Sequence, residues 1–359
     1  MPTRRSAIGV GLLGLGGTLA SAVRAAGTGS DARSADRRVR VMSTTDRAAV
    51  QPLIDDFERR HAGLRVDYRQ LGSVELYQRF LHEKRHAADR PDVLWSSAMD
   101  LQIKLVNDGH ALRYESPHAL QLPRWAVWKH EAYGTTREPV GIVYNRQLLA
   151  EHDVPRTHAA LAALLRADTA RFRDRVSTYD IERAGLGFLI AAHDAMATPR
   201  SWDLVQALGL CRASLHADTQ SMLEGVATGR SLLAFNVLGT YAEAFARSNS
   251  EVAVAYLNDY TLVVSRVAFI ARSAPNPQGA RAWLDHLLSL DGQQLLADGG
   301  GPYAVRTDAT RPRSAAAIMR QLGTAARPIA LGPGLLAHLD RSKHDAFLKR
   351  WHREFGQSR

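Results

Sequence analysis

Val39-Arg40-Val41-Met42-Ser43-Thr44-Thr45-Asp46 opens the part of the chain that reads as folded. The first four residues predict a short strand, and the next four are residue types that favour helix N-caps. Val50, Leu53, Ile54 and Phe57 then recur at helical spacing. The unit is therefore strand, polar turn, helix, and it repeats. Residues 64–68 alternate like a second strand, and Val74, Leu76, Tyr77 and Phe80 predict a second helix. Val93-Leu94-Trp95 ends in Ser96-Ser97, ahead of Leu101, Ile103, Leu105 and Val106 on a third helix. Alternating units of this kind predict an α/β fold with mostly parallel strands covered on both faces.

The same reading continues downstream. Residues 140–145 (VGIVYN) and 232–236 (LLAFN) predict strands, and 252–256 and 261–270 (TLVVSRVAFI) are β-rich. Gly185 to Ile190 opens a helix, 222–228 form another, and Trp283, Leu284, Leu287 and Leu288 lie on a third. Residues 314–359 read as helical and basic, and no internal repeat is present.

Ahead of the first strand, Arg4 and Arg5 precede an uncharged run over 7–22, and small residues Ala20, Ser21, Ala22, Ala25 and Ala26 follow. This is the layout of a secretory signal peptide over 1–26. The run is shorter than the roughly 20 apolar residues a membrane helix needs. Arg4-Arg5 also fits a twin-arginine signal in part, so both export routes stay open. Residues 27–38 are polar and small, and predict a disordered linker. The mature protein is then expected in the periplasm.

Length and composition fit about two globular domains. The single cysteine, Cys211, excludes an intrachain disulfide or a cysteine metal cluster and reads as a small buried hydrophobe. The net charge is +10, and all but five of the 46 cations are arginine. That balance permits a polyanion binder or a protein that handles small anions. The cations are spread along the chain and no nucleic-acid-binding pattern stands out, so no nucleic-acid partner is expected. His82 and His86 share a predicted helix face but flank Glu83-Lys84-Arg85, a solvated stretch. No zinc-protease, phosphate-loop or nucleophile-elbow motif is present, so neither catalytic residues, a metal nor a cofactor is expected.

Several segments together resemble the periplasmic solute-binding proteins of ABC importers, in the branch with ferric-ion and sugar-phosphate binders. They are VRVMSTTD (39–46), PDVLWSSAMD (91–100), EPVGIVYN (138–145), STYDIERAGLGF (177–188), LLAFNVLGTYA (232–242) and ARAWLDHLLSLDGQQLLADGGGPYAV (280–305). The resemblance implies a two-lobed periplasmic-binding-protein fold, with a hinge and an interlobe cleft. One lobe would be 39–144 plus 261–359 and the other 145–260, closing on a ligand by hinge bending. It implies no enzymatic step, a monomer, and an ABC permease or a sensor kinase as membrane partner.

The loops after the strands supply the candidate ligand-binding residues. Ser43, Thr44 and Thr45, and likewise Ser96 and Ser97, stand where helix N–H groups favour an anion, although plain capping uses the same residues. In the family the 180–187 loop commonly carries Asp-Pro and then Ser-Gly. Here Asp180 is followed by Ile181, and Ala184 precedes Gly185 and Gly187. Arg183 offers a charge for a phosphate or carboxylate. Ferric binders carry adjacent tyrosines near 240, whereas this chain has Asn236, then Gly239 and Thr240 before a lone Tyr241. That set suits a polar organic anion, phosphorylated or carboxylated, better than iron(III).

Overall fold

The computed structural model describes residues 37–83, 90–298, 301–309 and 315–356. The signal peptide, His86 and all but the end of the predicted linker lie outside them. The linker expectation runs one residue too far, because Arg38 already pairs with Arg65 in the first sheet.

Strand β1 (Arg38–Ser43) leads into α1 (Arg47–Arg60), β2 (Arg65–Gln70), α2 (Ser73–Glu83), β3 (Val93–Ser96) and α3 (Met99–Asn107). The predicted apolar stripe is the buried one: Val50, Leu53, Ile54 and Phe57 of α1 all face the core. Short strands β4 (Val127–Trp128) and β5 (Ala132–Gly134) precede a ten-residue strand, β6 (Thr136–Asn145).

The second body follows. It holds α4 (His158–Ala167), α5 (Thr169–Phe172), β7 (Val176–Tyr179), α6 (Gly185–Ala197) and α7 (Ser201–Leu210). It continues with β8 (Ser214–His216), α8 (Thr219–Ala227), β9 (Leu233–Leu238), α9 (Gly239–Ala246) and β10 (Val252–Ala255). The chain then forms β11 (Thr261–Val264), β12 (Val267–Ile270), α10 (Pro277–Leu288), α11 (Leu290–Asp298), β13 (Tyr303–Ala304), α12 (Ala315–Leu322), β14 (Ala326–Pro328) and α13 (Arg341–Phe355).

Two sheets result. The first has the order β2-β1-β3-β12-β5-β4, and the second β14-β11-β6-β9-β7-β8, with β10 and β13 also on β6. β6 is the strand that ties the halves together. Its start pairs with β13 and β11, through Arg137 to Tyr303 and Glu138 to Val264. Its end pairs with β9 and β10, through Val140 to Leu238 and Asn145 to Val252. The register shifts between Gly141 and Val143, a bulge at the passage between the two. At Gly141 a side chain would meet Ala255 O at 2.8 Å and the Tyr256 ring at 3.0 Å, so glycine is required there.

The C-terminal segment departs from expectation. Helix α13 does not join the first lobe but packs on α7 of the second. Phe347, Trp351 and Phe355 complete the second body's core beside Phe188 and Trp202. Their spacing of four puts all three on one face of α13, and that face has to be covered. The chain between β14 and α13 is thus a further crossing between the bodies.

Candidate functional site

A cleft of about 1000 Å³, open to solvent, lies between the two bodies. Six helices begin at its walls, three from each side. The first body contributes Asp46 at the N-cap of α1, Ser73 at the start of α2 and Ser97 just ahead of α3. The second contributes Ala184 at the N-cap of α6, Asp218 and Thr219 at the start of α8, and Leu238 at the N-cap of α9. The positive ends of six helix dipoles therefore meet one space. The doubly wound topology causes this, since each helix follows a strand whose carboxyl end points at the cleft.

Arg266 forms part of the floor. It stands between β11 and β12, where the chain leaves one sheet for the other, and is almost wholly buried. Its Nε lies 3.0 Å from Glu138 Oε1, and Nη2 donates to Oε2 at 3.4 Å. Nη1 donates to Thr45 Oγ1 at 3.0 Å and Thr44 Oγ1 at 3.2 Å, and the guanidinium lies over the Tyr241 ring at 5.2 Å. Burial opposes the charge on Arg266, but Glu138 together with Tyr241, Tyr68 and Asp46 outweighs it and keeps the guanidinium protonated. Glu138 also accepts from Thr136 Oγ1 at 2.8 Å and Thr240 Oγ1 at 3.2 Å. This hub touches both bodies: Thr44, Thr45 and Thr136 on one side, Thr240 and Tyr241 on the other.

The predicted residues divide by place. Thr44, Ser97 and Tyr241 line the cleft. Thr45 and Thr240 lie one layer below, on Arg266 and Glu138. Ser43 and Ser96 are buried and turned inward, accepting the backbone N–H of Thr45 at 3.0 Å and of Ala98 at 3.2 Å. They take the local turn-and-capping role, the plainer of the two open readings.

The 180–187 loop flanks the cleft through Ala184 and Leu186 rather than through its polar members. The Asp180 carboxylate turns back onto the N–H groups of Glu182 and Arg183, and Arg183 is exposed outside the lining. The Gly185 N–H is taken by Ser73 Oγ at 3.0 Å across the cleft edge. The two bodies approach closely there, since a side chain on Gly185 would meet Leu101 at 3.0 Å. Gly187 packs on Tyr179, and Gly239 on Tyr256. Asn236, at φ +63°, points into the second body, where its Nδ2 donates to Asp194 at 2.9 Å. The backbone conformation, which asparagine tolerates, turns it away from the cleft.

Sequence reading missed Arg266, Asp46, Gln70, Ser73, Glu75, Tyr179 and the Asp218-Thr219-Gln220 turn, all of which line the cleft. A lone arginine in TLVVSRVAFI was the available signal, because a charge in an apolar run must find a buried partner. The phenols at the site stay protonated. Burial pushes Tyr241 up to about 12, and raises Tyr68 and Tyr179 further. Among the described residues no group of three or more His, Cys, Asp or Glu is placed to hold a metal ion.

Comparison with known proteins agrees with this architecture. Residues 39–300 match the family model described as bacterial extracellular solute-binding protein. No curated protein sequence matches the chain. The substrate-binding protein of an ABC transporter from Agrobacterium tumefaciens is 31% identical, with 89% of this chain and 94% of that one covered and a TM-score of 0.84. The periplasmic binding protein AfuA from Actinobacillus pleuropneumoniae, with exogenous fructose-6-phosphate bound, is 14% identical over 89% and 99% of the two chains, at a TM-score of 0.72. Iron-bound HitA from Pseudomonas aeruginosa is 18% identical over 88% and 99%, at 0.69. The last two share the fold. The span of the family match and the likeness to the Agrobacterium protein show that the chain belongs to the bacterial extracellular solute-binding proteins.

Proposed function

We propose that the protein captures a small hydroxylated organic anion outside the cytoplasm, in the periplasm, and delivers it to an ABC permease. The observation that carries the ligand class is the convergence of six helix amino ends on one cleft, three from each body, above the Arg266 guanidinium. A phosphate or carboxylate group belongs at that floor. The rim has the opposite character. Asp46, Gln70, Glu75 and Gln220 offer acceptor oxygens, which suit hydroxyl groups on the rest of the ligand. A phosphorylated polyol satisfies both ends. AfuA, with its bound sugar phosphate, supports the reading, and the Agrobacterium relative supports the transport role. Iron(III) is the weaker reading because the chain has a lone Tyr241 where ferric binders carry adjacent tyrosines.

Thermal-shift and calorimetric titration with inorganic phosphate, sugar phosphates, dicarboxylates and iron(III) tests this. A cognate organic anion at about 100 times its Kd adds about 2.7 kcal/mol of stability. Arg266→Gln weakens that binding at least about tenfold, by loss of a charge-assisted contact. Ser97→Ala gives a smaller loss with the buried ion pair left intact. Stabilisation by iron(III) alone, with no response to any organic anion, overturns the ligand assignment.

A further inference from the structure

Helix α13 has two unlike faces. Phe347, Trp351 and Phe355 are buried against α6 and α7. The opposite side and its margins carry Arg341, Lys349, Arg350 and Arg353, all exposed, whereas Lys343, four residues before Phe347, follows the apolar stripe. On a 100° wheel Lys349 and Arg353 lie at the centre of this outer face, with Arg341 and Arg350 at its margins. Asp345 is the acid among them, and Glu354 lies at the boundary, near Arg353 at 2.8 Å and Arg350 at 3.8 Å. The Arg350 guanidinium lies over the Trp202 ring at 4.2 Å. Half-buried His352 meets Glu182 at 3.3 Å, so it adds nothing to the outer row. Exposed Arg200 stands at the N-cap of the neighbouring α7. At the far end of α7 Leu210 is 55% exposed, next to Gly209, which rests on the Phe355 backbone.

A basic row on a rigid helix, with an exposed leucine beside its end, is chemically complementary to a membrane surface of anionic lipid headgroups. We infer that the outer face of α13 docks the protein on an anionic phospholipid bilayer. The cleft is not required for this contact, so the inference stands apart from the ligand assignment. It bears on the transport role, because a membrane permease is reached faster by a carrier held at the bilayer than by one diffusing in three dimensions. The apolar face of α13 stays on the second body, so binding requires no unfolding. It is electrostatic, reversible and screened by salt.

The test is co-sedimentation of the mature full-length protein with sucrose-loaded vesicles, either pure phosphatidylcholine or with 30% phosphatidylglycerol. The expected result is binding to the anionic vesicles only, falling steeply with salt. Each cation near the surface contributes about fivefold in partitioning. The triple variant Arg341→Gln/Lys349→Gln/Arg353→Gln should therefore lose on the order of 100-fold. A control with the same charge change at exposed positions elsewhere, Arg65→Gln/Arg124→Gln/Arg173→Gln, should keep most of its binding. Matching circular dichroism melts for both variants confirm that each is folded. Equal losses in the two variants, or no binding to anionic vesicles at physiological salt, overturn the inference. So does tighter, α13-dependent binding to a DNA duplex than to the vesicles.

Discussion

Arg266 and Glu138 form a buried ion pair, 128 residues apart in the chain. Such a pair stands or falls as a unit. Breaking it leaves a buried unpaired charge, at a cost of about 3–5 kcal/mol, while replacing both members with apolar or neutral groups is far milder. Glu138→Gln is therefore expected to lower unfolding stability by about 3–5 kcal/mol. The double variant Glu138→Gln/Arg266→Met should recover much of that loss. Urea denaturation of the two proteins checks it: a double variant less stable than the single would contradict the pairing. The sequence showed half of this arrangement. Arg266 is conspicuous in TLVVSRVAFI, but nothing local points to Glu138 as its partner. Asn236 is the converse, plausible by residue type and yet turned away by its own backbone.

At the scale of elements, the early strand–turn–helix units were legible because their apolar positions follow a clear period. Val50 to Phe57 on α1 are an example. The start of α8 was placed late, because its cap, Asp218, precedes residues without an apolar stripe. The run 261–270 read as one β-rich segment, but it is two strands in different sheets, broken at Ser265-Arg266. Periodicity detects strand-forming residues and carries no information about which sheet takes them. The packing of α13 on α7 was likewise hidden, since it depends on a close approach at Gly209. A side chain there would strike the Phe355 carbonyl, which is backbone and cannot swing aside. Gly209→Ala is expected to destabilise the second body by about 1–3 kcal/mol. Hydrogen exchange should show the loss first in α13 and α7, and unchanged protection there would refute the contact.

For the whole molecule, pH acts through several buried groups of opposite sign. Burial pushes Asp92 up to about 6 and Asp100 up to about 7, despite backbone N–H donors to each. Their folded-state values exceed the unfolded value of about 3.9. The stability they contribute is full below about pH 4 and is lost as pH rises through 6 to 7. Histidines work against this trend. Burial lowers His193 to about 4 and lowers His286 and His216 as well, so their contribution is lost as pH falls below about 6.5. The decisive measurement is thus a difference between proteins. Relative to the wild type, Asp100→Asn should gain on the order of 2–4 kcal/mol between pH 5 and pH 8. Urea titrations at the two pH values test it, and an unchanged difference would place Asp100 at an ordinary carboxylate value.

The path of the chain also governs the order in which the molecule is made. The first sheet lacks its central strand until β12 at 267–270 exists, and the second core lacks three aromatic rings until residue 355. A ribosome therefore releases no finished half partway through synthesis. The first sheet must await residue 270 and the second core residue 355, and contacts spanning such long sequence intervals form slowly. The nascent chain remains extended for longer than one built from two consecutive domains would.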